Sequence, residues 1–400
     1  MKDSATQLAI HGGVPLYAEK VHVGRPNIGD RAHFLSRLDA VLQSKWLTNN
    51  GACVQELESR IAQLLNVRHC VLVCNATIGL EIAIRALDLD GEVIVPSLTF
   101  VATAHALQWQ QITPVFCDVQ ASSHLIDPDQ IEALITPRTT GILGVHLWGR
   151  VCDVERLTEV ADRHRLKLLF DAAHAFGCSK AGRMVGGFGR AEVFSFHATK
   201  FFNTFEGGAI TTNDDDLAKR LRLMINFGFA GYDNVVQIGT NGKMNEVCAA
   251  MGLTSLLSLN DVMDANRRNH SAYAESLRDI PGLRLLTYPE AERNNFQYVV
   301  VEYEPLAGGV TRDQLIDILW AENVIARRYF HPGCHRMEPY RTLYPEAGRR
   351  LPVTEAVAAR LVVLPTGPDL TPMDVAAIAS VIRTAVLAGP GLARSLRSGP

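Results

Sequence analysis

Four short stretches of this 400-residue chain place reactive side chains where an apolar run gives way to polar residues. Lys200 stands in VFSFHATKFFNTFEGGAI (193–210), between an alternating apolar segment and a Gly207-Gly208 pair that opens another. Its amine becomes a nucleophile and a proton carrier once its surroundings pull it below the ordinary lysine pKa of about 10.4. Asp171-Ala172-Ala173-His174 follows the apolar run 168–170 and sets a carboxylate near an imidazole. Asn75-Ala76-Thr77-Ile78 follows the run 70–74; a helix opening there would aim free N–H groups and the positive end of its dipole at an anion. Pro96-Ser97-Leu98-Thr99-Phe100 brings an aromatic ring to a fourth turn. Each stretch also has a plain structural reading. Asn75, Thr77 and Asp171 suit helix caps, Phe100 suits a core, and most lysines are solvated.

Together the four describe one ligand. Pyridoxal 5'-phosphate takes a lysine for its aldehyde, a carboxylate for its ring nitrogen, an aromatic or apolar face for the ring and a cup for its phosphate. The carboxylate keeps the pyridine nitrogen protonated, so that the ring accepts the electron pair released when a neighbouring C–H bond breaks. Phe196, Phe201, Phe202 and Phe205 flank Lys200 and are expected to supply the apolar surroundings that lower its pKa.

The elements that must position these residues are legible as an alternation. Runs rich in Val, Ile and Phe near 70–74, 92–96, 113–117, 141–146, 167–171, 193–197 and 208–212 predict strands. The segments near 77–88, 100–110, 153–165 and 214–226 predict helices; Leu157, Val160, Ala161 and His164 share one helix face, and Asp214–Asp216 reads as a solvated helix start. This pattern predicts an α/β fold, a mostly parallel sheet covered by helices, with ligands at the carboxyl ends of its strands. Beyond about 255 the pattern changes to a long helix (255–279), strands near 296–303 and 324–329, and helices near 312–322, 353–360 and 371–388. Residues 1–255 are therefore expected to form a large cofactor-binding domain and 256–400 a smaller C-terminal α/β domain.

Composition narrows the partners. A formal charge of −3 without a basic block argues against nucleic acid or a membrane surface, and no apolar run reaches the length of a membrane span. Eight scattered cysteines without a CxxC pair read as buried thiols of a reducing cytosol, so a soluble, cytoplasmic protein without a metal is expected.

The blocks NATIGL, VIVPSLTFVATAHA, PVFCDV, ITPRTTGILGVHLWG, FDAAHAFG, FSFHATKFFNTFEGGAI, NGKMNEVCAAMGL and RRYFHP, in this order over roughly residues 10–385, resemble the DegT/DnrJ/EryC1/StrS family of nucleotide-sugar aminotransferases. The resemblance implies the aspartate aminotransferase-like fold (fold type I) and a homodimer with active sites at the subunit interface. It implies that Lys200 is the Schiff-base lysine and general acid/base, Asp171 the acid paired with the pyridine nitrogen, and His174 a hydrogen-bonding partner of the phenolic oxygen. Ala76, Thr77 and Ser195 match the phosphate cup, Phe100 the aromatic stacked on the ring, and Asn241 an asparagine that reaches the phosphate from the other subunit. Two departures stand out. Asn75-Ala76-Thr77-Ile78 replaces a commoner Thr-Ser pair, and Lys243 stands where arginine is usual.

The resemblance further implies L-glutamate as amino donor and a nucleotide-linked keto-sugar as acceptor. Ser195-Phe196-His197-Ala198-Thr199-Lys200 followed by Glu206-Gly207-Gly208 looks like the members acting at C-4, which points to TDP-4-keto-6-deoxyglucose. His197 reads equally as a sugar contact or a scaffold residue. Arg327, Arg328, Tyr329 and His331 are placed where the smaller domain meets the nucleotide sugar, where arginine suits a diphosphate; surface charge at a strand end would give the same residues. Lys200 argues against the same-fold dehydratases, which carry histidine there. A C-3 sugar aminotransferase, an aminotransferase or lyase for ordinary amino acids, and a non-catalytic cofactor-binding regulator compete with the C-4 sugar enzyme.

Overall fold

The structure, a computed structural model, describes residues 1–396; residues 397–400, the end of the expected second domain, lie outside the described residues. Seven segments rich in β-branched and aromatic residues, which suit a pleated and buried surface, form one sheet. They are β1 (His69–Val73), β2 (Glu92–Pro96), β3 (Thr113–Cys117), β4 (Thr139–Val145), β5 (Lys167–Asp171), β6 (Ala191–Ser195) and β7 (Gly208–Thr212). Their order across the sheet is β1-β7-β6-β5-β4-β2-β3. Pairings among β2 to β6 are parallel, whereas β7 runs antiparallel to both neighbours, β6 and β1. Only the loop 196–207 links β6 to β7, with no crossover helix to carry the chain back, so β7 returns in the opposite direction.

Alternate residues of a strand face opposite sides, and the two cores show it. Cys70, Leu72, Leu168 and Phe170 belong to one apolar cluster, and Val71, Val73 and Leu169 to the other. The helices α1 (Arg31–Ser44), α2 (Ala52–Leu65), α3 (Ala76–Ala86), α4 (Val101–Gln108), α5 (Val154–His164), α6 (Asp215–Met224) and α7 (Glu246–Leu257) surround the sheet. Buried Leu80 and Ile84 of α3, Leu107 of α4 and Leu221 of α6 pack on one face; Leu57 and Ile61 of α2 and Leu157 of α5 pack on the other. The triple aspartate behaves as expected: Asp214 caps α6, accepting from the N–H groups of Asp216 and Leu217.

The C-terminal part begins with α8 (Leu259–Leu277). An antiparallel sheet of β8 (Leu283–Leu285), β9 (Val299–Tyr303) and β10 (Leu361–Leu364) follows, in the order β8-β9-β10, with helices α9 (Arg312–Ala321), α10 (Pro352–Arg360) and α11 (Pro372–Leu387). The helix expected over 255–279 is broken at Ser258 between α7 and α8. The strand expected near 324–329 shrinks to Val324–Ile325, which pairs in parallel with Val21–His22. The N-terminus therefore packs with the C-terminal part: Leu8 lies in its core, and Lys2 pairs with buried Glu322 at 3.3 Å. Several residues of the C-terminal part, among them Tyr298, Val300 and Phe330, belong instead to a core cluster of the large sheet. No single helix among the described residues is long and apolar enough to cross a membrane.

Candidate active site

The carboxyl ends of β1, β4, β5 and β6 open into a cleft of about 580 Å³, lined among others by Ala76, Thr77, Phe100, Asp171, His174, Ser195 and Lys200. Parallel strands explain the convergence, because chain leaving successive parallel strands emerges on the same edge of the sheet. At the mouth of β1, Asn75 caps α3 by accepting from the Ile78 N–H at 2.9 Å. The capping reading is observed at Asn75, and the N–H groups of Ala76 and Thr77 lie at the positive end of the helix. Gly208 of β7 permits this approach, since a Cβ there would lie 2.9 Å from the Ala76 nitrogen and 2.6 Å from the Phe194 oxygen.

Asp171 ends β5 with its carboxylate buried. One oxygen accepts from the Ala173 N–H at 3.0 Å and the other from the Thr103 hydroxyl at 2.8 Å, and the Thr99 hydroxyl lies 2.8 Å behind that of Thr103. Burial pushes the carboxyl above its ordinary value, against the downward pull of Ala173, Thr103 and Lys200. His174 is buried beside it. The Trp148 N–H points at its Nδ1 at 3.3 Å, which leaves the ring proton on Nε2, and desolvation with Lys200 nearby holds the imidazole neutral.

Lys200 lies in the loop after β6, its backbone N–H bonded to the His197 carbonyl at 2.8 Å. Its Nζ donates to the Tyr298 hydroxyl at 3.0 Å. Burial brings its pKa down to about 8, although Asp171 and Tyr329 pull it upward. At neutral pH roughly 10% of such an amine is the free base, against well under about 0.1% for an ordinary lysine.

The apolar surroundings of this amine are not the phenylalanines adjacent in sequence. Phe196, Phe201 and Phe202 turn beneath the loop and pack with Phe176 in the core, and Phe205 meets Phe34 at 5.4 Å. The cleft wall consists of Tyr298, Tyr329 and Phe330, backed by Trp148, which stacks on Phe330 at 5.4 Å. These residues come from 148, 298 and 329–330, so no local pattern around Lys200 could have shown them. Thr103 was equally hidden, since its position within α4 gives no sign that it faces a carboxylate.

The remaining expected residues divide. Phe100 precedes α4 and is 58% exposed, so its face is available to the cleft rather than spent in a core. His197 lines the cleft rim, its Nδ1 2.8 Å from the Thr199 hydroxyl and its Nε2 3.6 Å from Glu206. Tyr329 lines the cleft, but Arg328 turns away to Asp313 at 2.6 Å and Asp317 at 3.4 Å. Asn241 is exposed and outside this cleft, accepting from Lys243 at 2.8 Å.

The cleft fits pyridoxal phosphate. The helix start offers N–H groups for a phosphate, the buried Asp171 carboxylate retains lone pairs for a ring N–H, and the Phe100 face and the Lys200 amine stand on the same cavity. Fold and site together define a pyridoxal-phosphate-dependent aminotransferase. The chain belongs to the DegT/DnrJ/EryC1/StrS aminotransferase family, whose sequence profile matches residues 29–383. It is 36% identical to the dTDP-4-amino-4,6-dideoxy-D-glucose transaminase of Escherichia coli, over 88% of this chain and 94% of that one. It is 35% identical to the GDP-perosamine synthase of Caulobacter vibrioides, over 89% and 95%. The crystal structure of DesI in the presence of its TDP-sugar product superposes with a TM-score of 0.92 at 47% identity, covering 99% of this chain and 100% of that one.

Proposed function

We propose that this aminotransferase converts TDP-4-keto-6-deoxy-D-glucose into the TDP-linked 4-amino-4,6-dideoxy sugar with L-glutamate as amino donor. The observation that carries the reading is the Lys200 amine, brought to about 8, on the same cleft as the buried Asp171 carboxylate and the open start of α3. The choice of sugar leans on likeness. The E. coli enzyme named for the 4-amino-4,6-dideoxy sugar and DesI with its TDP-sugar product both span nearly the whole chain, and DesI exceeds the GDP-named relative in identity.

In this reading the N–H groups of Ala76 and Thr77 and the Ser195 hydroxyl would hold the cofactor phosphate. Phe100 would cover the ring face, Asp171 would hold the proton on the ring nitrogen, and His174 Nε2 would donate to the phenolic oxygen. The bound cofactor supplies the electron sink that makes the amino donor's α-C–H bond labile. Lys200 Nζ takes up the α-proton of glutamate in one half of the reaction and delivers a proton to sugar carbon C-4 in the other. Tyr329 and Phe330 cover the amine and keep water from it, while His197 at the rim orients the sugar ring.

Arg328, held by two aspartates, would have to exchange partners to meet a diphosphate, which moves Tyr329 ahead of it as a substrate contact. We also place the working unit as a homodimer with Asn241 serving the partner's site; its exposure outside its own cleft supports this. Eight free thiols suit a reducing cytoplasm.

The test is incubation of the purified protein with L-glutamate and a panel of TDP-, UDP- and GDP-keto-sugars, with mass and NMR detection of the product. Nitrogen at C-4 of the TDP sugar is expected. A 3-amino product without turnover of the 4-keto sugar would overturn the regiochemistry, and no amino-sugar from any member would overturn the assignment.

A further inference from the structure

We propose that Tyr298 is a positioning residue for the proton carrier, its phenol holding the Lys200 amine in both of that amine's protonation states. Tyr298 immediately precedes β9 of the C-terminal part, 98 residues from Lys200, and its hydroxyl is the hydrogen-bond partner of Nζ at 3.0 Å. Few side chains suit a partner that gains and loses a proton. A phenol accepts from an ammonium and donates to a free amine, so one fixed oxygen serves both states; a carboxylate would fit only the first and an indole only the second. Tyr298 remains a phenol throughout, because burial pushes its own ionisation upward.

The ring is held firmly enough to act as a fixed reference. It lies 4.3 Å from the His174 ring and meets Trp148 edge-on at 5.5 Å. Its backbone carbonyl lies 3.1 Å from the Tyr288 hydroxyl, whose single proton is shared between this carbonyl and that of Trp148 at 3.0 Å. The neighbouring Gln297 accepts from the Phe201 N–H at 2.9 Å, so the same stretch also fixes the loop that carries Lys200. The C-terminal part thus reaches into the large domain's cleft at the atom that moves the proton. The groups electrostatically coupled to Lys200 Nζ are Asp171, Tyr329 and His174. None of these is its hydrogen-bond partner.

A hydrogen bond to a charged group is stronger than one between neutral groups. Removing the phenol therefore penalises the ammonium more than the amine, and the Lys200 pKa should fall. This rests on the reading of Lys200 as proton carrier, but it can be measured without either substrate. The full-length protein is loaded with pyridoxamine 5'-phosphate, the cofactor form that leaves the lysine amine free. It is then trace-labelled with acetic anhydride between about pH 6 and pH 10, and labelling at Lys200 is read by peptide mass spectrometry.

Tyr298→Phe is expected to shift the labelling midpoint down by about 0.5 to 1 unit with cofactor stoichiometry unchanged. Tyr303→Phe, which removes a buried hydroxyl that donates to the Val310 carbonyl and touches neither Lys200 nor Tyr298, is expected to leave the midpoint in place. Should Tyr298→Phe fail to fold, site-specific replacement of Tyr298 by 4-aminophenylalanine, which stays neutral over this pH range, keeps a donor to the free amine but is a poor acceptor from the ammonium. A smaller shift in the same direction is then expected. A midpoint that does not move, that moves upward, or that moves equally in Tyr303→Phe overturns the proposal, and leaves the sugar assignment to its own product assay.

Discussion

Thr103→Val changes the site by one hydroxyl while keeping the side-chain volume. Thr103 is fully buried and places its single O–H on Asp171 Oδ2 at 2.8 Å, with the Thr99 hydroxyl behind it at 2.8 Å. A hydrogen bond to a charged partner contributes about 1.5 to 3 kcal/mol. Valine removes that support, which is stronger for the carboxylate than for the neutral acid, so the population of ionised Asp171 able to hold a proton on the ring nitrogen drops. Carried into the step that needs the protonated ring, this is roughly a 10- to 150-fold loss of rate. The assay is single-turnover reaction of the cofactor-loaded protein with L-glutamate, followed by the absorbance of the bound cofactor. Circular dichroism and cofactor stoichiometry verify that the fold and loading persist. Thr103→Ser keeps the hydroxyl and should recover most of the rate. A valine variant within about twofold of wild type would refute the idea that this hydroxyl sustains the charge on Asp171.

Borohydride treatment of the wild-type protein followed by peptide mapping should find the reduced cofactor on Lys200, while Lys200→Ala should retain cofactor only non-covalently; a label on any other lysine would refute the assignment. Gly208→Ala drives a methyl against the Ala76 nitrogen and should weaken cofactor binding about tenfold in equilibrium dialysis with the fold intact. Asp171→Asn should raise the melting temperature of the cofactor-free protein near neutral pH. The folded-state pKa of Asp171 is raised, so the folded chain holds a proton that the unfolded chain has released, and stability falls as pH rises through that window. The advantage of the asparagine variant should vanish below the ordinary carboxylate range near about 3.9. Mixing Lys200→Ala with Asn241→Ala subunits should restore activity through one intact site per heterodimer; proven subunit exchange without recovery would assign Asn241 to its own subunit.

The large sheet and its chemical edge are written into the residue order. All seven strands of that sheet were legible because buried strands are short apolar runs, and the helices α3, α4, α5 and α6 because their apolar residues recur at helical spacing. Asp171, Lys200, Ala76 and Phe100 could be named because each ends or follows such a strand, and parallel strands deliver their ends to one edge. The weakly amphipathic α1, which buries only Val41, left little pattern to read, and the break at Ser258 lies inside continuous helical periodicity. The surroundings of the reactive groups came from packing alone. The phenylalanines beside Lys200 in sequence became core beneath its loop, while Tyr298, Phe330 and Trp148 arrived from distant elements to form the wall. Arg328 turned to Asp313, and Thr103 turned to Asp171. Periodicity records whether a side chain is buried, but the partner it meets depends on which elements pack together. For Lys200 that partner is a phenol 98 residues away, brought there because the chain entering β9 packs Tyr298 into the core of the large sheet.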